Sequence, residues 1–184
     1  MKAPKGRGPF HVRRAVPGDE AIVRSLRLQA LSDSPDDFDS TLKRESAWMT
    51  SNWRELLSHG ATFILAQSDG PKGIAAGIPN RDDRASIFLV SMWLHPGLRG
   101  SGAADALVAS VIVWAEEQGT AEVWLHVVKR NGRARRFYER NGFRRTGQEV
   151  IRERDGVVEL EMRRSVGGRA RRWSVNVSPL PEKR

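Results

Sequence analysis

The spacing of apolar residues changes period several times along the chain, and each change marks an element. FHVRRA reads as a short first strand. Ile22, Leu26, Ala30 and Leu31 then recur at helical spacing. Pro17 suits the first turn of that helix, and Asp19 and Glu20 suit the positive end of its dipole. SDSPDDFDS interrupts it with turn-forming residues. A second helical region is predicted from about Leu42 to Leu57, with Trp48 and Trp53 as core residues. Near Ala61 the pattern becomes strand-like. ATFILAQSDG and GIAAGI read as two strands joined by a turn at Ser68-Asp69-Gly70-Pro71, and ASIFLVSMWL follows as the longest strand. Residues 103–118 form a strong helix: Leu107, Val111 and Trp114 make one stripe, with Val108, Ile112 and Ala115 beside it, and Gly119 closes it. AEVWLHVV alternates, with Val123, Leu125 and Val127 on one face and Glu122, Trp124 and His126 on the other. GRARRFYERNG reads as a short helix closed by Asn141-Gly142. FRRTGQEVIRERDGVVELEM completes the pattern as two strands around Asp155-Gly156, a short-hairpin signal.

This order predicts an α/β domain with a mixed sheet. The early strands pair as antiparallel hairpins. The strand–helix–strand unit across residues 85–127 calls for a right-handed parallel crossover. The chain has 184 residues, the size of one domain with a sizeable core. It has no cysteine, which excludes a disulfide framework and a cysteine-based zinc site. No apolar run approaches the ~20 residues of a membrane span. Without thiol chemistry or a signal-like apolar block, the cytoplasm is the simplest address.

The net charge is +9, but it is unevenly placed. Residues 1–14 carry +5 and residues 163–184 carry +6, which leaves the body at −2. The division expected from this is a disordered basic segment at 1–9, a folded domain at 10–164 and a basic tail at 165–184. Like-charge blocks at chain ends are solvated tails or arms for polyanions.

WLHPGLRGSGAADAL joins the longest strand to the strongest helix. Gly100 and Gly102 let main-chain amides approach a ligand closely. The helix start adds unpaired donors and partial positive charge, and Arg99 adds a charged fork, so the segment suits a phosphate group. It is not a Walker loop, because no Lys-Ser/Thr follows the glycines. It is not the dinucleotide G-x-G-x-x-G either, because Asp105 stands at the third glycine position.

Arg99-Gly100-Ser101-Gly102-Ala103-Ala104 after VSMWLHPGL resembles the [Q/R]-x-x-G-x-[G/A] signature of the GNAT superfamily of acetyl-CoA-dependent N-acetyltransferases. A second block, Asn131-Gly-Arg-Ala134-Arg-Arg-Phe-Tyr138-Glu-Arg-Asn-Gly142-Phe143, resembles that family's N-x-x-A-x-x-x-Y-x-x-x-G-F phrase. The resemblance covers roughly residues 10–164. It implies a GNAT-like mixed, mostly antiparallel sheet with a splayed central parallel pair, about four flanking helices and a bulge near Ser91–Met92. It also implies acetyl-CoA as co-substrate, with no metal. The main chain of Met92, Trp93 and Leu94 would bind the pantetheine arm, and the amides from Arg99 to Ala104 would hold the pyrophosphate. Asn131 would bond the amide-rich arm, and Tyr138 would protonate the leaving thiolate. A glutamate base of the ribosomal-protein acetyltransferases corresponds in position to His126, and histidine as a residue type suits general-base work. Glu45 and a water relay are the alternatives for the base, and His95 reads as a surface residue at the strand end. Asn131 has a second reading as a loop cap.

The helix-joining loop, with Asp33, Asp36, Asp37 and Asp39, would shape the acceptor pocket. The acceptor stays open between a small-molecule amine and a protein N-terminal or lysine amine, and a homodimer is compatible with the resemblance. A competing reading is a non-catalytic or regulatory protein of this fold that binds CoA, or nucleic acid through its basic ends; the −2 body argues against nucleic acid.

Overall fold

The computed structural model describes residues 8–80, 83 and 85–167. The basic segments 1–7 and 168–184 lie outside the described residues, so the readings placed on them do too. Among the described residues, seven strands form one sheet: β1 (His11–Arg14), β2 (Ala61–Gln67), β3 (Gly70–Pro79), β4 (Ser86–Leu94), β5 (Glu122–Val128), β6 (Arg144–Ile151) and β7 (Val158–Ser165). Their order across the sheet is β1-β2-β3-β4-β5-β7-β6. Every neighbouring pair is antiparallel except β4 and β5. β7 runs through Ser165, and Val166 buries its side chain, so the folded body extends past Arg164. No helix among the described residues is long and apolar enough to cross a membrane.

Helices cover both faces. α1 (Glu20–Asp33), α2 (Leu42–Ser46) and α3 (Thr50–Ser58) lie on one side, where Val23, Leu26, Ala30 and Trp53 pack on Ile64, Ile74 and Trp93. α4 (Ala103–Glu117) packs on the other side, where Leu107, Val108, Val111 and Trp114 meet Phe63, Ala75, Leu89, Leu125 and Met162. α5 (Gly132–Arg140) follows β5. The close approach of α4 fixes Gly77 as glycine: a Cβ there would sit 2.7 Å from the Trp114 ring.

Three expectations need correction. The helical region expected from about Leu42 to Leu57 is two helices, so among the described residues five α-helices flank the sheet where about four were expected. Thr41 Oγ1 caps α2 by accepting from the Arg44 amide at 3.1 Å. The chain then turns extended at Met49, whose amide donates to Asn52 Oδ1 at 3.0 Å and restarts the helix. Apolar periodicity runs through this break because Trp48 and Trp53 still meet, with ring centroids 5.0 Å apart.

Pro17 precedes the first helix instead of opening it. The Asp19 carboxylate accepts from the Arg13 guanidinium at 2.6 and 2.8 Å and from the Val16 amide at 2.8 Å, which holds the turn outside α1. These bonds, the one from Arg13 foremost, lower the Asp19 pKa to about 2.

The final strands are joined by six residues, not by a tight turn on Asp155-Gly156. Arg152 is buried in that loop. It donates to Asp155 at 2.9 Å, to Glu159 at 3.3 Å and to the Asp36 carbonyl at 3.0 Å. A two-residue turn leaves no room for that guanidinium.

Candidate functional site

The cleft originates in the parting of β4 from β5. Their pairing is confined to Ser86–Glu122, Ile87–Val123 and Phe88–Trp124, while both strands continue beyond it. Against β3, β4 carries one extra residue between Val90 and Trp93. Ser91 takes φ 56°, a left-handed conformation uncommon for serine, so the strand bulges there. From Leu89 onward the β5-facing edge of β4 has no ladder partner among the described residues.

A cavity of about 590 Å³ fills the gap. Met92, Trp93, Leu94, Arg99, Gly100, Gly102, Ala104, His126, Asn131 and Tyr138 all line it. Ser101 and Ala103 do not: the Ser101 hydroxyl donates to the Leu98 carbonyl at 2.7 Å, and Ala103 is fully buried. They shape the turn from behind. Gly100 and Gly102 have φ +85° and +86°, and a Cβ at either would meet nothing within 4 Å. Their conformation requires glycine, and the space beside them is open. The Arg99 and Ser101 amides are used within the turn, on Pro96 and Leu98. The first-turn amides of α4 have no acceptor within the helix. The loop therefore offers donors to a phosphate.

Arg99 is already engaged. Its guanidinium pairs with Asp33 at the end of α1 and donates to the Leu94 carbonyl at 3.2 Å. Asp33 also accepts from Trp93 Nε1 at 3.0 Å. Burial pushes the Asp33 pKa up, but the bonds from Trp93, Arg99 and Ser34 outweigh it and the pKa is lowered. One carboxylate thus locks α1, the bulged strand and the glycine loop together.

Tyr138 is half-buried between Phe137 and Phe143, with ring centroids 5.1 and 5.8 Å away. Burial, and then the charge of Asp37, raise its pKa, so the phenol keeps its proton at neutral pH. Asn131 caps α5 by accepting from the Ala134 amide at 2.9 Å, which leaves its Nδ2 donors for the cavity. Both readings of Asn131 therefore fit one geometry.

His126 reaches the cavity from β5, edge-on to Phe88 at 5.3 Å. Its Nε2 lies 3.8 Å from Glu161 on β7, and Thr146 donates to the other Glu161 oxygen at 2.8 Å. Glu159 shares that face. Burial raises its pKa, against the opposing charges of Arg152 and His126. Glu45 lines no part of this cavity: it is buried, and Arg27 donates to it at 2.8–3.2 Å. His95 is exposed and accepts from the Gly97 amide at 3.1 Å. Among the four loop aspartates, Asp37 alone lines the cavity. Asp36 is tied to Arg130 at 2.9 Å.

Sequence reasoning missed the arginines that α5 brings to the cavity. Arg133, Arg136 and Arg140 on α5 line the cavity. Arg140 pairs with Asp105, whereas Arg133 and Arg136 have no ion pair among the described residues. Their spacing of three was a helical-face signal. Glu161 gave no such signal, because its approach to His126 depends on strand register.

The sequence profile of the acetyltransferase (GNAT) family matches residues 27–143. An uncharacterized N-acetyltransferase of Mycobacterium bovis is 40% identical over 105 residues, which span 54% of this chain and 67% of that one. A GNAT-family acetyltransferase of Streptococcus pneumoniae superposes with a TM-score of 0.72 at 20% identity, over 86% of this chain and 100% of that one. The acetyltransferase yncA of Salmonella typhimurium, solved with its cofactor acetyl-CoA, gives 0.70 at 16% identity, over 95% and 99%.

Proposed function

Because the chain belongs to the acetyltransferase (GNAT) family, we propose that it transfers an acetyl group from acetyl-CoA to a primary amine by direct attack in a ternary complex. One observation carries this reading: the parted β4–β5 pair opens a single cavity lined by the glycine loop, Tyr138 and His126 together.

The unpaired edge of Met92–Leu94 binds the pantetheine arm as an added strand. The amides of Gly100, Gly102 and Ala104 hold the diphosphate, and the open space beside the two glycines fits it. Arg133 and Arg136 supply positive charge to the remaining phosphate. Asn131 Nδ2 bonds an amide carbonyl of the arm.

The attacking nitrogen must be neutral. As the carbon–nitrogen bond forms and the carbon–sulfur bond breaks, His126 takes the proton from nitrogen, directly or through water. Glu161 steadies the imidazolium so formed. Tyr138 donates its proton to the departing thiolate, which leaves as the thiol. Holding both substrates in the cleft makes the step effectively unimolecular.

Thermal melting of the full chain with millimolar acetyl-CoA tests the reading. At about 100 times Kd, the cofactor should stabilise the fold by about 2.7 kcal/mol. Gly102→Trp, which fills the open side of the loop, should abolish the shift. A wild-type chain whose Tm does not move with acetyl-CoA would overturn the proposal.

A further inference from the structure

A second cavity, of about 1260 Å³, lies between α3 and strands β2, β3 and β4. Trp48, Leu56, Ala76, Ile78 and Val90 give it an apolar lining. Glu55 and His59, both solvent-exposed, stand at its mouth. Two residues, Val90 and Ser91, line both cavities. The bulge that parts the sheet is therefore also the junction between them. Ala76 stands opposite Val90 in the β3–β4 register, on the face turned toward α1 and α3.

We propose that this second chamber receives the body of the acyl acceptor, and that the acceptor is a primary amine carrying an aromatic or branched aliphatic group. The inference rests on the acetyl-transfer reading above. The first cavity, at about 590 Å³, is of a size that one small ligand fills, so a bulky acceptor needs room elsewhere. The chamber supplies that room, and its lining is mostly apolar, with Asn52, Thr62, Asn80 and Ser91 as polar members, so an apolar body matches it better than a hydroxyl-rich one.

The junction suits a neutral amine. Arg27, whose Nη1 donates to Ser91 Oγ at 3.3 Å, is neutralised by Glu45 at 2.8 Å. A body anchored against Ile78 and Leu56 directs its amine past Val90 toward the parted strands. Burial of the apolar body drives binding, and the fixed position of the bulge aims the nitrogen.

The test uses 2-phenylethylamine and ethanolamine as probes on the full chain. Calorimetry without acetyl-CoA reads chamber binding alone, and thiol release with acetyl-CoA reads turnover. Wild type should bind 2-phenylethylamine and not ethanolamine, and should favour the former in kcat/KM by about 10-fold or more. Ile78→Trp, at a half-buried position, should raise KM for 2-phenylethylamine until that preference is gone. Its ethanolamine turnover and its stabilisation by acetyl-CoA should stay unchanged. Leu56→Trp, from the α3 side, repeats the test should Ile78→Trp fail to fold. Absence of 2-phenylethylamine binding to wild type, equal kcat/KM for both amines, or equal losses on both in the variant would overturn the proposal. Failure of acetyl-CoA to stabilise wild type, with 2-phenylethylamine still bound, would instead overturn the acetyl-transfer reading and leave the chamber a ligand site.

Discussion

Two helices occupy equivalent places, each following one strand of the parallel pair, yet they are made of opposite materials. α4 follows β4 and buries seven residues, Ala103, Leu107, Val108, Val111, Ile112, Trp114 and Ala115. α5 follows β5, buries none, and carries Arg133, Arg135, Arg136 and Arg140. The first holds the sheet together and meets the cleft only at its first turn, where Ala104 and Asp105 line it. The second lines the cleft and is held by the Asn131 cap, by half-buried Ala134, Phe137 and Tyr138 against the core, and by the Arg140–Asp105 pair. The face that α4 packs on β2, β3 and β4 cannot also present charge to a ligand without leaving it buried. The chain gives most of each task to a separate crossing: α4 joins neighbouring strands, and α5 passes over β7 to reach β6.

That division predicts that α4 substitutions act on stability and α5 substitutions on binding and turnover. The largest effect should come from Leu107→Ala. Leu107 is fully buried, and a Cβ on Gly73 of β3 would stand 3.0 Å from its Cδ1. Its truncation should cost about 2–5 kcal/mol in denaturant unfolding, with little change in KM for acetyl-CoA in the fraction that folds. Next is Tyr138→Phe. The ring keeps its contacts with Phe137 and Phe143, so Tm should hold. Loss of the proton donor should lower kcat about 100-fold and leave KM for acetyl-CoA nearly constant. Unchanged turnover would remove Tyr138 from the acid role.

The same contrast explains what could be read from the sequence. α4 was legible because burial writes itself as apolar periodicity, and residues 103–118 show it without interruption. The glycine loop was legible because left-handed backbone at Gly100 and Gly102 restricts residue choice. The α2–α3 break was not, because Trp48 and Trp53 continue the apolar pattern across it. The last hairpin was misread because Asp155-Gly156 has the right turn chemistry, but the loop is built around Arg152, whose burial no local pattern announces. Asp33 joining Trp93 to Arg99, and Glu161 beside His126, link residues 60, 66 and 35 positions apart. Such pairs exist only once the sheet has set its register.

A smaller effect should follow from replacing Arg133 and Arg136 together with alanine. Both are exposed and free of ion pairs among the described residues, so stability should change little. The KM for acetyl-CoA should rise about 10-fold with kcat unchanged, because the lost attraction acts equally on bound substrate and transition state. Raising the salt to about 1 M should shrink the difference, since screening already weakens these contacts in the wild type. A fall in kcat with KM constant would instead place the arginines near the reacting atoms.

The smallest effect concerns the joint between the two helices. Asp105, in the first turn of α4, accepts from Arg140 and from Asn141 Nδ2, both at 2.9 Å. Burial pushes its pKa up, and the bonds from Asn141 and Arg140 outweigh that and lower it. A lowered folded pKa means that the contribution is fully present above the ordinary carboxylate value, near pH 4, and is lost as pH falls below it through the lowered folded value. Both side chains are well exposed, at 64% for Arg140 and 40% for Asp105, so screening holds the pair to about 0.5 kcal/mol or less. Asp105→Asn should therefore melt slightly below wild type at pH 7, and the two curves should meet near pH 2. A gap that persists at pH 2 would show that shape, not charge, joins α5 to α4. In that case the contrast between the helices would lie in their lining residues alone.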